Sequence, residues 1–214
     1  MNTQWIRAGA LGSLVAAGLL GVQIAMGVGL GSDLMLLETS LDIARVAAFL
    51  QTHAATLTSL IAVDDLFVVA YSVGFVGIAL YLAPRNRLFA LVGLGFALLT
   101  SASDFTENSL TIALTRAATD GVPLQMEWLI ALQVLSQLKY LWIFAGGTLF
   151  AIGIWDKPIM RRALAVLFWL FPLIGALAMV SVTGALLRIV WMLVLLLAGA
   201  YFLWRVADKN PKGL

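Results

Sequence analysis

Residues 100–111 read TSASDFTENSLT, which sets Asp104, Glu107 and Asn108 inside a long apolar segment. On a helix, Thr100, Asp104, Glu107, Asn108 and Thr111 stack along one face. The segment is an apolar rod with a polar stripe. Hydrocarbon penalises an ionised side chain by roughly 2.5–3.5 kcal/mol even on lenient insertion scales, so the stripe has to face protein or a wet cavity and not lipid. The helices around it must be arranged to meet that requirement.

The rest of the chain supplies those helices. Hydrophobic residues make up 62% of it and charged residues 11%, against roughly 45–50% and about 25% in soluble domains. This is the composition of an all-α, polytopic membrane protein. A span takes about 20 apolar residues, so 214 residues accommodate six spans with short connections in one integral membrane domain, 1–214. The apolar runs predict a six-transmembrane helical bundle with spans at about 8–30, 61–83, 88–114, 128–155, 163–182 and 185–206. The first run exceeds the roughly 7–15-residue apolar core of a secretory signal, which predicts a retained span. Its glycines, Gly9, Gly12, Gly18, Gly21, Gly27 and Gly31, provide small-residue faces for close packing. Pro172 predicts a bend in the fifth span.

Between the first two spans, Asp33, Glu38, Asp42, Arg45 and His53 alternate with Leu37, Leu41, Ala44 and Ala48. This pattern predicts an amphipathic helix at about 33–58, outside the core and lying over it as a lid. Thr39 with Asp42, or Ser32 with Asp33, is expected to cap its start. His53 is the sole histidine, and on such a helix it reads as a solvated polar residue.

Arg7, Arg85, Arg87, Lys157, Arg161, Arg162, Arg205, Lys209 and Lys212 fall on one side of a six-span topology, while Arg45, Arg116 and most acids fall on the other. The positive-inside rule then predicts that both termini are cytoplasmic. Trp5, Trp128, Trp155 and Trp204 sit near the span ends as interfacial anchors.

Depth follows from the helical rise. Counted from Arg87, Asp156 and Arg205, the residues Asp104, Lys139 and Arg188 each lie roughly 25 Å from the cytoplasmic end. Asp64 and Glu107 come about one turn further out, at roughly 30 Å. These five charges are expected to share an outward-facing layer, with Tyr71, Asn108, Gln133 and Gln137 as hydrogen-bonding partners. Such a set can clamp helices in register. Asp104 and Glu107 are also the candidate acid and base should the layer be catalytic. A metal site is not expected, because lysine and arginine at the same level repel a cation and no histidine cluster exists. Without cysteine there is no disulfide or thiolate site, and no nucleotide loop, serine elbow or haem ligand pair appears. No cofactor is expected. The basic residues sit at helix ends without forming a patch, which leaves no footprint for nucleic acid.

Asp64-Asp65-Leu66-Phe67-Val68-Val69-Ala70-Tyr71, followed by Asp104-Phe105-Thr106-Glu107-Asn108, resembles the DxxFxxxY and DxxEN pattern of an uncharacterised family of small polytopic membrane proteins found in bacteria. The resemblance implies that Asp64, Tyr71, Asp104, Glu107 and Asn108 belong together, and it suggests the bacterial inner membrane as the location. It brings no activity or substrate. Three functional readings follow. The first is an interaction or scaffold protein, such as an accessory subunit of a membrane complex, whose charged layer is an internal clamp. The second is an enzyme using Asp104 or Glu107 on a lipophilic small molecule from the outer leaflet, which requires an open apolar pocket beside those carboxylates. The third is a proton-coupled carrier, for which broken spans in matching halves are expected. The bilayer is the expected partner in all three, with other membrane subunits in the first.

Overall fold

The computed structural model describes residues 3–209; the side chains of 31–34, 38, 182 and 209 are outside the description. Readings placed on Gly31, Ser32, Asp33, Glu38, Lys209 and Lys212 therefore lie outside the described residues. The elements are α1 (Thr3–Gly27), a 3-10 segment (Val28–Met35), α2 (Leu36–Thr39), α3 (Ile43–Thr52), α4 (Ala54–Leu82), α5 (Arg87–Thr119), α6 (Met126–Ile154), α7 (Ile159–Val180) and α8 (Val182–Lys209). Six of these helices are long and apolar enough to cross a membrane, and no strand occurs among the described residues. The chain is a multi-pass membrane protein of the expected all-α class.

The amphipathic helix expected at 33–58 is divided. Ser40 is extended, and the Asp42 carboxylate accepts from the Arg45 N–H at 3.1 Å, so Asp42 caps a new helix, α3, rather than the whole segment. Thr39 turns its hydroxyl back to the Met35 carbonyl and takes no part in that cap. His53 closes α3 and packs its ring, tilted, against Phe49 at 5.1 Å between ring centroids. The second span then begins at Ala54, well before residue 61. Thr58 and Ser59 allow this extension because their hydroxyls bond back to the carbonyls of Ala54 and Ala55. At the far end of α5, the helix continues past residue 114 and carries Arg116 in its last turn, where a cation complements the helix dipole. Gly121, at φ 72°, then reverses the chain, with Val122 N–H donating to the Ala117 carbonyl. α7 remains a single helix through Pro172.

α1 packs against α4 and α8, α5 lies between α4 and α6, and α7 bridges α6 and α8. The start of α1 and the end of α8 are at the same end of the bundle, where Arg7 pairs with Asp208 at 3.2 Å. At that end, Asp156 lies in the exposed α6–α7 turn. Its carboxyl is held below the ordinary carboxylate range, chiefly because the Lys157 N–H donates to it, with Arg161 adding to the effect.

Helix lengths are unequal. α4, α5 and α6 have 29, 33 and 29 residues, about 43–50 Å, whereas α7 has 22, about 33 Å. The three long helices therefore extend beyond the α7–α8 turn at the end opposite the termini. Phe144, in the middle of α6, packs on Gly175, one to two turns from the end of α7. In the overhang, α3 covers the long helices: Val46, Phe49 and Leu50 pack with Leu114, Leu124, Leu129 and Leu132. A second apolar core fills the terminal half around Ile6, Tyr81, Phe150, Phe168, Phe202 and Leu203.

The α1–α4 contact brings two glycine backbones together. A Cβ on Gly77 would fall 2.7 Å from the Gly9 Cα, and one on Gly9 would fall 2.6 Å from the Gly77 Cα. Gly18 and Gly21 have open space where a Cβ would go, so only the first part of the expected glycine face is used for packing. Gly77→Leu is expected to cost about 1–3 kcal/mol by forcing the helices apart, whereas Gly18→Leu stays within about 0.5 kcal/mol. Unfolding in mixed micelles tests this, and equal losses at the two positions would contradict the packing.

Candidate functional site

The α5 stripe faces inward, as hydrocarbon requires. Thr100, Ser101, Asp104, Asn108, Thr111 and Thr115 are buried, while Leu98, Leu99 and Phe105 on the other faces are exposed. Four of the hydroxyls are satisfied within the helix: Thr100, Ser101, Thr111 and Thr115 donate to the carbonyls of Phe96, Ala97, Glu107 and Thr111. The groups left to interact across helices are Asp104, Glu107 and Asn108, with the Ser101 hydroxyl also meeting Ser72 of α4.

Lys139 of α6 bridges the two acids, with Nζ 3.0 Å from Asp104 Oδ1 and 2.7 Å from Glu107 Oε2. The second oxygen of each carboxylate is also bound. Tyr71 of α4 donates to Asp104 Oδ2 at 2.9 Å, and Ser136 of α6 donates to Glu107 Oε1 at 2.6 Å. Ser136 is fully buried, and the Lys139 side chain is only 16% exposed. Charge-assisted hydrogen bonds in such a dry setting are stronger than neutral ones. One turn away, Asn108 donates to Asp64 Oδ2 at 2.7 Å and to Asp65 Oδ1 at 2.9 Å. Gln23 of α1 donates to Asp64 Oδ1 at 2.8 Å. Alongside, the hydroxyls of Ser72 and Ser101 lie 2.7 Å apart.

The polar layer lies between these two apolar cores, and a third cluster, with Ala16, Leu20, Phe67 and Val68, packs α1 against α4 beside it. On α5 it falls between Ala97 of one core and Leu114 of the other, and on α6 between Phe150 and Leu132. Asp64, Tyr71, Asp104, Glu107, Asn108 and Lys139 all lie in this layer. Three other expected members sit elsewhere. Gln133 is spent on the Ser40 carbonyl at 2.9 Å, which ties the turn before α3 to α6. Arg188 is not set between the carboxylates; its guanidinium lies 4.0 Å over the Tyr140 ring. Gln137 is exposed on the same flank of α6 as Tyr140 and, with Arg188, lines a cleft among α6, α7 and α8. Counting depth along a helix gives height but not azimuth, and these side chains leave α6 on a different side from Lys139.

Sequence reasoning missed Gln23, Asp65 and Ser136. Ser136 lies one turn before Lys139 on the same face. Gln23 is a lone amide within an apolar run, where a polar side chain needs a partner across helices. Asp65 gave no such signal, since a neighbour of Asp64 points about 100° away on a helix.

Neither Asp104 nor Glu107 lines the cleft. Among the described residues, no group of three or more histidine, cysteine or acidic side chains is placed to hold a metal ion. Compared with protein families, curated proteins and solved structures, the chain matches none.

The Gln133 contact generates a test of how the α3 lid is held. Gln133→Leu removes the anchor of the Ser40 turn and leaves the one at the other end of α3, Gln51 donating to the Ala118 carbonyl. Amide hydrogen exchange in the segment 40–46 is expected to quicken by about tenfold, with exchange in the α5 stripe unchanged. Unaltered exchange at 40–46 would show that the apolar contacts of Phe49 and Leu50 hold the lid by themselves.

Proposed function

We propose that this protein is a membrane scaffold or accessory subunit, and that its charged layer is a clamp fixing α4, α5 and α6 in register. The observation that carries this reading is the bridge from Lys139 to both Asp104 and Glu107, with Tyr71 and Ser136 occupying the remaining carboxylate oxygens. A general acid or base needs a substrate within hydrogen-bond reach. Here each oxygen of Asp104 and Glu107 already faces a group of the protein, Glu107 Oε2 through its ion pair with Lys139 alone, and the cleft opens elsewhere. The enzymatic reading on a lipophilic molecule requires the carboxylates to turn toward that cleft. The carrier reading lacks the paired broken spans of inverted repeats, as Pro172 is the only proline within a described helix. We place the chain in a bacterial inner membrane with both termini cytoplasmic, on the asymmetry of its basic residues.

Breaking a buried ion pair by removing one partner typically costs about 3–5 kcal/mol, because the other charge is stranded. A single neutral hydrogen bond between membrane helices averages about 0.6 kcal/mol. The clamp therefore predicts an order of damage. Lys139→Met, which strands two carboxylates, is the most destabilising. Asp104→Asn costs less because Lys139 keeps Glu107, and Tyr71→Phe costs least. The triple variant Asp104→Asn, Glu107→Gln, Lys139→Met is expected to recover most of the loss from Lys139→Met alone. Thermal unfolding in detergent reads all four. A triple variant no more stable than Lys139→Met, or an Asp104→Asn protein more stable than the parent, would count against the clamp and favour a reactive site.

A further inference from the structure

A cleft of about 590 Å³ opens among α6, α7 and α8 on the flank of α6 away from the charged layer. Its walls are largely apolar and include Leu141, Phe144 and Met179, yet Gln137 and Arg188 also line it. Gln137 is exposed there, whereas Arg188 is 9% exposed and stacked on Tyr140. Heights can be taken from the end that carries the termini. Gln137 and Arg188 come out roughly 25–30 Å up, at the far edge of a hydrocarbon core about 30 Å thick. Leu141 and Phe144 lie below them, at roughly 15–20 Å.

We propose that this cleft holds one anionic bilayer lipid. Its headgroup phosphate sits against Arg188 and Gln137, and an acyl chain runs down along Leu141 and Phe144. Three observations together define the occupant. The first is that bare hydrocarbon at this place would leave the Gln137 amide without a hydrogen-bonding partner, which is costly at membrane depth. The second is that water alone would wet a wall that is mostly apolar, Leu141, Phe144 and Met179 included. An occupant that satisfies both is apolar over most of its length and polar at one level, and the surrounding leaflet supplies such molecules with the headgroup at that height. The third is the charge at that level. An arginine stacked on an aromatic face is the side chain suited to an oxyanion bound along its N–H edge, which selects an anionic over a zwitterionic lipid. The cleft exists because α7 is about two turns shorter than α4 or α6, so that α6 lacks an apolar neighbour beside Gln137. The proposal does not depend on the clamp, since no carboxylate of the charged layer touches the cleft.

The test uses the full chain in a neutral detergent, with native mass spectrometry after exchange into phosphatidylglycerol or phosphatidylcholine. One phosphatidylglycerol is expected to be retained per chain, with at least tenfold preference over phosphatidylcholine. Arg188→Gln is expected to reduce that preference to twofold or less. Leu141→Trp, on an exposed position of the wall, fills the acyl arm and is expected to lower retention of both lipids at least fivefold while the protein stays folded. Millimolar inorganic phosphate is not expected to displace the lipid. Equal retention of the two lipids by the parent protein overturns the proposal, as does displacement by phosphate, which assigns the cleft to a free anion. If Arg188→Gln does not fold, Leu141→Trp decides, and retention unchanged in that variant overturns the proposal.

Discussion

A carboxylate within a bilayer has to be met by fixed partners, and in this protein a single lysine meets two. Lys139 lies between Asp104 and Glu107, and much of the bundle can be read as the means of keeping it there. α5 is central because it carries both acids. α4 flanks it to bring Tyr71 and the Asp64–Asp65 pair, and α6 flanks it on the other side to bring Lys139 and Ser136. α1 approaches α4 closely through Gly9 and Gly77, which sets Gln23 within reach of Asp64. Each of these contacts crosses helices, so none survives a shift of one helix by a turn.

The layer also divides the interior. Below it, large aromatic side chains fill the terminal half; above it, α3 seals a smaller core of leucines against the overhanging ends of α5 and α6. The α7–α8 hairpin takes no part in the charged layer and is held to α6 by shape and by Arg188 over Tyr140. Phe144 seats on Gly175, and Trp191 donates to the Leu167 carbonyl between α7 and α8 at 3.0 Å. This difference accounts for where the protein is closed and where it opens. Specific polar contacts fix the α4–α5–α6 side, and the cleft appears where the shorter hairpin leaves α6 without a neighbour.

Much of this was legible in the sequence because the governing rules are local and periodic. Six apolar runs yield six helices, the stripe on α5 faces inward, and the rise per residue brings Asp104 and Lys139 to one height. The remainder depended on terms that sequence spacing does not carry. Height says nothing of azimuth, which is why Arg188 was expected among the acids and is instead on Tyr140, and why Gln133 was expected in the layer and instead holds Ser40. The start of α4 was placed too late because threonine and serine look like surface residues, although each satisfies its own hydroxyl inside the helix. Asp42 reads as a cap in the sequence, but it caps a short separate helix, since Ser40 breaks the chain just before it.

The order of the partners along the chain has a consequence for how the protein is made. Asp64, Asp65, Asp104 and Glu107 are all synthesised before Lys139. A ribosome feeding this chain into a membrane delivers the α4–α5 hairpin with its acids matched only by Tyr71, Asn108 and Gln23, and the cation arrives with the next helix. Lateral release of that hairpin into lipid before α6 follows would expose the costliest groups in the molecule. Biogenesis therefore favours a path in which α4, α5 and α6 leave the insertion machinery together, with Lys139 as the residue that completes the unit.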